Sequence, residues 1–135
     1  MTPPSAAWLS RSACGAASDA VLDAAVARAS RWVLLVPCCY AEAVPFSAEA
    51  RRIAEVMGAP AQAAVRRALV QSLIDAERTL RLEAAGYEVT VTPFVPPTVT
   101  PHNLLWTARR VGEPRAMAAA AARLATLRGY GRTRQ

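Results

Sequence analysis

The sequence predicts an α/β fold, half of an open doubly wound sheet, on three observations. An uninterrupted apolar run, Trp32-Val33-Leu34-Leu35-Val36, is closed by Pro37. A long helical pattern follows it, and the clean alternation Tyr87-Glu88-Val89-Thr90-Val91-Thr92 comes next. An apolar run without alternation is what a strand covered on both faces looks like, and such strands belong mostly to parallel sheets. Strand, long helix and strand in that order form a right-handed crossover, which sets the two strands parallel.

The elements can be justified in turn. Residues 1–13 show no clear period and carry Pro3 and Pro4, so they read as irregular. Cys14 to Ser18 reads as a turn, with Ser18 as N-cap and Asp19 suiting the positive end of a helix to about Ser30. After the apolar strand, Cys38 to Phe46 is loop. Ser47 and Glu49 open a short helix that Gly58 and Pro60 end. Ala61 to Ala85 is the longest helix, with Val65, Leu69, Leu73, Leu80 and Ala84 marking one face and Arg66, Arg67, Arg78 and Arg81 others; Gly86 stops it. Pro93, Pro96, Pro97 and Pro101 stiffen a connection of about ten residues, long enough for antiparallel pairing of the strands it joins. Leu104 to Val111 is the third strand, and Glu113-Pro114 opens a last helix to about Leu127. Residues 129–135 form a polar tail. The whole chain, 1–135, is then one partial domain of about three strands with flanking helices, the last strand antiparallel. The double-covered first strand lacks a neighbour, so the sheet looks incomplete on its N-terminal side.

Composition agrees with a packed domain. In 135 residues, 53% are hydrophobic and 19% charged, which excludes a disordered tail, a collagen-like fibre and a disulfide scaffold. Sixteen cations, all arginine, face ten carboxylates for a net charge of +6. That charge admits an anionic partner, RNA first and a membrane surface second. The arginines are spread over several segments, which favours solvated helix faces over a single track. Arg109 and Arg110 with Arg51, Arg52, Arg66 and Arg67 are the candidates for a phosphate track. Three cysteines, an odd number, point to a reducing compartment, and no targeting segment or spanning run is seen, so a cytoplasmic protein is expected.

Three stretches stand out on this topology: Ser12-Ala13-Cys14-Gly15, Pro37-Cys38-Cys39-Tyr40 and Thr100-Pro101-His102-Asn103. With an antiparallel last strand, all three reach one rim, the rim where open α/β sheets bind ligands. Cys14, Cys38, Cys39 and His102 include metal-ligand types, but adjacent cysteines cannot easily both face one ion, so no metal is expected. A Cys–His nucleophile would need an orienting third group that Asn103 supplies poorly. On local chemistry alone, His102 is a rim residue and Asn103 shapes the turn into the strand. Trp32 and Trp106 read as core or sheet cover, and Asp19 as a first-turn helix charge.

The series Ala13-Cys14-Gly15-x-x-Ser18-Asp19, Val36-Pro37-Cys38-Cys39, Gly86-Tyr87 and Thr100-Pro101-x-Asn103-Leu104-Leu105 resembles the C-terminal half of a methyltransferase family. The family is the branch of class I S-adenosylmethionine-dependent methyltransferases with His-x-Cys-Gly-x-x-Thr-Asp and Cys-Cys motifs, related to tRNA ribose methyltransferases. Ser12 stands where the family has its histidine, and Tyr40 where a histidine commonly follows Cys-Cys. The resemblance implies a Rossmann-like sheet and S-adenosylmethionine as cofactor. It places Cys14 and Gly15 near the cofactor, and Cys38, Cys39, Tyr40, His102 and Asn103 on the substrate, with RNA a candidate acceptor. No glycine-rich turn after a first strand is found, so the donor-holding half is expected upstream or on another polypeptide. The competing expectation is a catalytically inactive half-domain that pairs its open strand edge with another protein or a second copy.

Overall fold

A computed structural model describes residues 8–13 (backbone only), 16–37 and 40–132. The fold is α/β. The described residues form β1 (Trp8–Ala13), α1 (Ala16–Ala27), β2 (Trp32–Pro37), α2 (Ser47–Val56), α3 (Ala63–Ala84), β3 (Tyr87–Pro93), β4 (Leu104–Arg110) and α4 (Pro114–Tyr130). They make one open four-stranded sheet in the order β1-β2-β4-β3. β1 pairs parallel with β2, while β4 runs antiparallel to both of its neighbours, β2 and β3.

Two expectations change. Residues 8–13, read as irregular, hold a strand, and β1 supplies the neighbour that the apolar run lacked. The segment Trp-Leu-Ser-Arg-Ser-Ala has no period-2 pattern of its own, so its strand state comes from pairing with β2 rather than from local sequence. β2 and β3 point the same way and β4 pairs antiparallel with β3, as expected; β4 also pairs with β2 and so lies between them. β2 is not covered equally on both faces: Val33, Leu35 and Pro37 are buried while Trp32 is 37% exposed. The continuous apolar run reflects a central position in the sheet, with hydrogen-bonded neighbours on both sides, more than two helical layers.

α1 packs on β1 and β2, α3 packs on β3, and the two helices touch, so they cover the same face. Between them and the sheet lies the main core of Leu22, Ala25, Val33, Leu35, Leu82, Tyr87, Trp106 and Ala108. Trp106 is its largest member, 1% exposed, and its indole NH donates to Thr79 Oγ1 at 3.1 Å. Burial of an aromatic of this size removes about 150–250 Å² from water, on the order of 4 kcal/mol as an upper bound. A second cluster, Val44, Phe46, Ala50, Ile53 and Ile74, joins the loop after β2 to α2 and α3.

The helix boundaries have local causes. α1 starts at Ala16, so Ser18 lies inside it rather than at the N-cap, while Asp19 does stand in the first turn; both are buried. Gly86 ends α3 at φ +96°, a region an L side chain rarely adopts, and a Cβ there would sit 3.2 Å from the Gly112 Cα. The close approach is used: Val111 and Gly112 both donate their amides to the Gly86 carbonyl at 2.8 Å, pinning the start of β3 to the turn before α4. Glu113 caps α4, accepting from the amides of Arg115 at 3.0 Å and Ala116 at 2.7 Å. α4 continues to Tyr130, past the expected end near Leu127, and Arg128 in its last turn is held by Glu77 of α3 at 2.6 Å.

Candidate functional site

The sheet register builds the rim. Ala13 at the end of β1 is the partner of Pro37 at the end of β2, and Pro93 at the end of β3 is the partner of Leu104 at the start of β4. Antiparallel pairing of β2 with β4 joins the two halves. The backbone leading into or out of each of the three motif stretches therefore reaches one edge of the sheet. Cys14, Gly15, Cys38 and Cys39 lie outside the described residues, and of the predicted site Tyr40, His102 and Asn103 are described.

Tyr40 and His102 meet: their ring centroids are 5.5 Å apart with the planes tilted by 42°. Asn103 faces its own loop. Its side-chain nitrogen donates to the Val95 carbonyl at 2.7 Å, and its carbonyl accepts from the Phe94 amide at 2.9 Å. These two bonds close the proline-rich connection and set the start of β4, the turn-shaping role that its side-chain chemistry suggests.

Beneath Tyr40 lies a set of charges that no sequence motif assembles. The Tyr40 hydroxyl donates to Asp75 Oδ2 at 2.8 Å, and the Arg78 guanidinium lies 5.5 Å from the Tyr40 ring centroid. Arg78 is wholly buried and donates to Asp19 Oδ2 at 2.8 Å and to Asp19 Oδ1 at 3.4 Å. Its Nη1 stops 3.6 Å from Asp75 Oδ1, and neither atom has a hydrogen-bond partner. Arg81 also grips Asp19, reaches Asp23 at 2.7 Å and Glu77 at 3.5 Å, and Glu77 continues to Arg128. The ladder thus runs from the rim across α1 and α3 to α4.

Its electrostatics follow from burial. Desolvation pushes the Asp75 carboxyl up to about 6, although the Tyr40 hydrogen bond and the Arg78 charge pull the other way. The Tyr40 hydroxyl is raised well above its ordinary value by burial and by the adjacent Asp75 charge. Tyr40 therefore stays a protonated donor at the rim. Asp75 behind it is a carboxylate that gains or loses its proton near neutrality, with one oxygen free of hydrogen bonds. Such a pair can orient a polar ligand and take up a proton.

The structure relocates several residues. The buried stripe of α3 is Ile74, Glu77, Arg78 and Leu82, in place of the face marked by Val65, Leu69, Leu73, Leu80 and Ala84, and Val65 is exposed. A signal was present: Arg78 stands four residues from both Ile74 and Leu82, the spacing of one helix face. Reading that spacing requires knowing where the polar partner Asp19 lies, 59 residues earlier. The arginines proposed for a phosphate track are dispersed. Arg51 pairs with Glu42, Arg52 with Glu49, and Arg66 donates to the Ala59 and Pro60 carbonyls. Arg109 and Arg110 sit at the other end of the sheet from the rim.

No family model, no curated protein and no solved structure matches this chain. Among the described residues, no helix is long and apolar enough to cross a membrane.

Proposed function

We propose that this chain forms the acceptor-facing part of an S-adenosylmethionine-dependent methyltransferase. The observation that supports the reading most is the meeting of Tyr40 and His102 at the rim, over the buried Asp75–Arg78 pair. The finer fold assignment belongs to the same proposal: three strands of one direction with the last strand reversed agree with the second half of a Rossmann-like methyltransferase sheet. When bound, the cofactor would supply an electrophilic methyl group on a sulfonium.

This chain does not fit the donor side by itself. Each strand-to-helix connection lacks the glycine-rich turn that receives a nucleoside cofactor, and Gly15 stands alone after β1. On the acceptor side, Tyr40 and His102, with Cys38, Cys39 and Asn103, would orient the acceptor, and Cys14-Gly15 would flank the methyl group. Holding an acceptor at near-attack geometry supplies much of the acceleration such chemistry needs. Asp75, reached through the Tyr40 hydroxyl, is the group placed to accept the proton that a hydroxyl or amine acceptor releases.

Titration calorimetry tests the reading. The 135-residue chain is expected to show no low-micromolar binding of S-adenosylmethionine, and a form extended in frame by an upstream glycine-rich segment is expected to bind. Failure of both forms, or tight binding by the short one, overturns it. A second reading, an assembly module, is favoured by β1, whose pairing among the described residues is with β2 alone. A strand added to β1 by a second copy or another protein would extend the sheet. Sedimentation as a folded monomer at all concentrations would remove that reading.

A further inference from the structure

The outer edge of the sheet carries a cavity that the rim does not use. β3 pairs with β4 alone among the described residues, so its other side is an open strand edge. The Val111 amide donates to the Gly86 carbonyl and the Phe94 amide to the Asn103 carbonyl, which turns the backbone groups of the even-numbered positions between them toward β4. The amides and carbonyls of Tyr87 and Val89 therefore face outward. Between this edge and α4 lies a cavity of about 390 Å³, with Tyr87, Val89, Val111, Ala116, Met117 and Ala120 in its walls. Four charged residues line it as well. Glu88 is tied to Arg109 at 2.8 Å and Glu113 caps α4, so both are already engaged. Glu83 of α3 and Arg123 of α4 line the same cavity, and neither side chain has a hydrogen bond or ion pair among the described residues.

That set of groups is selective. Walls of valine, alanine and methionine take an apolar side chain, and a cavity of this size holds a small molecule by apolar contact and a few placed polar groups. A free carboxylate on one helix and a free guanidinium on the next match a ligand that carries both signs. The strand edge adds an amide donor and a carbonyl acceptor, the pair that an amino-acid backbone satisfies. A fatty acid would use Arg123 but turn a carboxylate toward Glu83. An apolar amine would use Glu83 and leave Arg123 unanswered. We propose that the β3–α4 cavity binds a small zwitterion with an apolar side chain, a free amino acid or a dipeptide. Its ammonium rests on Glu83, its carboxylate on Arg123 and its side chain against Val89, Met117 and Ala120. The cavity lies beside the start of β3, whereas the rim is at the end of that strand, so the site does not rest on the methyl-transfer reading.

The test is an amide NMR titration of the whole chain with leucine, leucyl-leucine, isoamylamine and isocaproate. The last two are leucine without its carboxylate and leucine without its ammonium. Leucine or the dipeptide should shift the amide signals of Tyr87, Val89, Met117 and Ala120 and saturate below about 10 mM, and the tighter of the two identifies the source of the zwitterion. Each single-charge analogue should bind about fivefold more weakly than leucine. Glu83→Gln and Arg123→Gln should each weaken the zwitterion by about fivefold, and Glu83→Gln should not weaken isocaproate, which has no ammonium to lose. Ala119→Leu fills the cavity from an exposed helix position and should abolish binding, whereas Ala118→Leu, exposed and outside the cavity, should leave it unchanged. Thermal melts of each variant separate lost binding from lost folding. The proposal is overturned if neither zwitterion shifts these signals, or if either single-charge analogue binds as well as leucine. Full binding by folded Glu83→Gln and Arg123→Gln variants overturns it, and so does equal blockage by Ala118→Leu and Ala119→Leu.

Discussion

The two ends of this sheet use arginine in opposite ways. At the rim, Arg78 is wholly buried and meets Asp19, Asp75 and the Tyr40 ring, so its charge is spent inside the protein. At the other end, Arg31, Arg109 and Arg110 are exposed, and Glu88 is the carboxylate that pairs with one of them. A buried pair has lost its water and depends on its partners, so removing one partner strands the other. An exposed pair keeps its water and contributes little to stability, which leaves its charge available to something outside the chain. Net charge alone, +6 over 135 residues, hides this division.

The sharpest way to break the comparison is to remove the buried cation. Arg78→Met leaves Asp19 and Asp75 without their central partner and should cost about 3–5 kcal/mol, measured as the loss in urea-unfolding free energy. A loss below about 1 kcal/mol would mean that the ladder is solvated after all.

The second prediction uses pH. Asp75 is raised to about 6 in the folded chain against an ordinary value of 3.8, so the folded state holds its proton more firmly than the unfolded one. Its contribution favours folding below about pH 4 and is lost as pH rises through about 6. Asp75→Asn removes that dependence. Between about pH 4 and pH 7 the stability of the wild type relative to this variant should fall by on the order of 2–3 kcal/mol, since each tenfold difference in proton affinity is worth about 1.4 kcal/mol. A constant difference across that range would show that Asp75 is not desolvated.

Tyr40→Phe is gentler. It deletes the donor to Asp75 and should cost about 1.5 kcal/mol at neutral pH, a typical value for a hydrogen bond to a charged group. It should also move the Asp75 titration further up, seen by carboxyl NMR, because the bond it removes was holding that value down. The smallest effect is expected at the other end, where Glu88→Gln breaks an exposed pair with Arg109 and should change stability by less than about 1 kcal/mol, and by less still in high salt. A large loss there would erase the distinction between the two ends.

Local signals and distant partnerships divide along the same line. β2, β3, β4 and all four helices were legible from periodicity and from stops such as Gly86 and Pro37, because those signals are local. The shared rim was legible too, since it needs only strand directions, and Tyr40 and His102 do come together there. β1 was missed because Trp8–Ala13 becomes a strand by pairing and not by pattern. Asp19 reads as a first-turn helix charge and Arg78 as a cation off the apolar face of the long helix, and nothing local singles out Asp75, because their partnership joins two helices far apart in sequence.

By itself the sequence determined the class of the fold, the existence and order of every described element but β1, and the directions of β2, β3 and β4. Hydrophobic period and backbone chemistry act over a few residues and are written in the order of the chain. Tertiary structure alone decided that β4 would lie between β2 and β3, that an arginine would sit in the core, and that Arg31, Arg109 and Arg110 would stay in water at the far end. Those outcomes depend on desolvation and pairing between residues far apart in the chain, and such energies exist only once the parts have met.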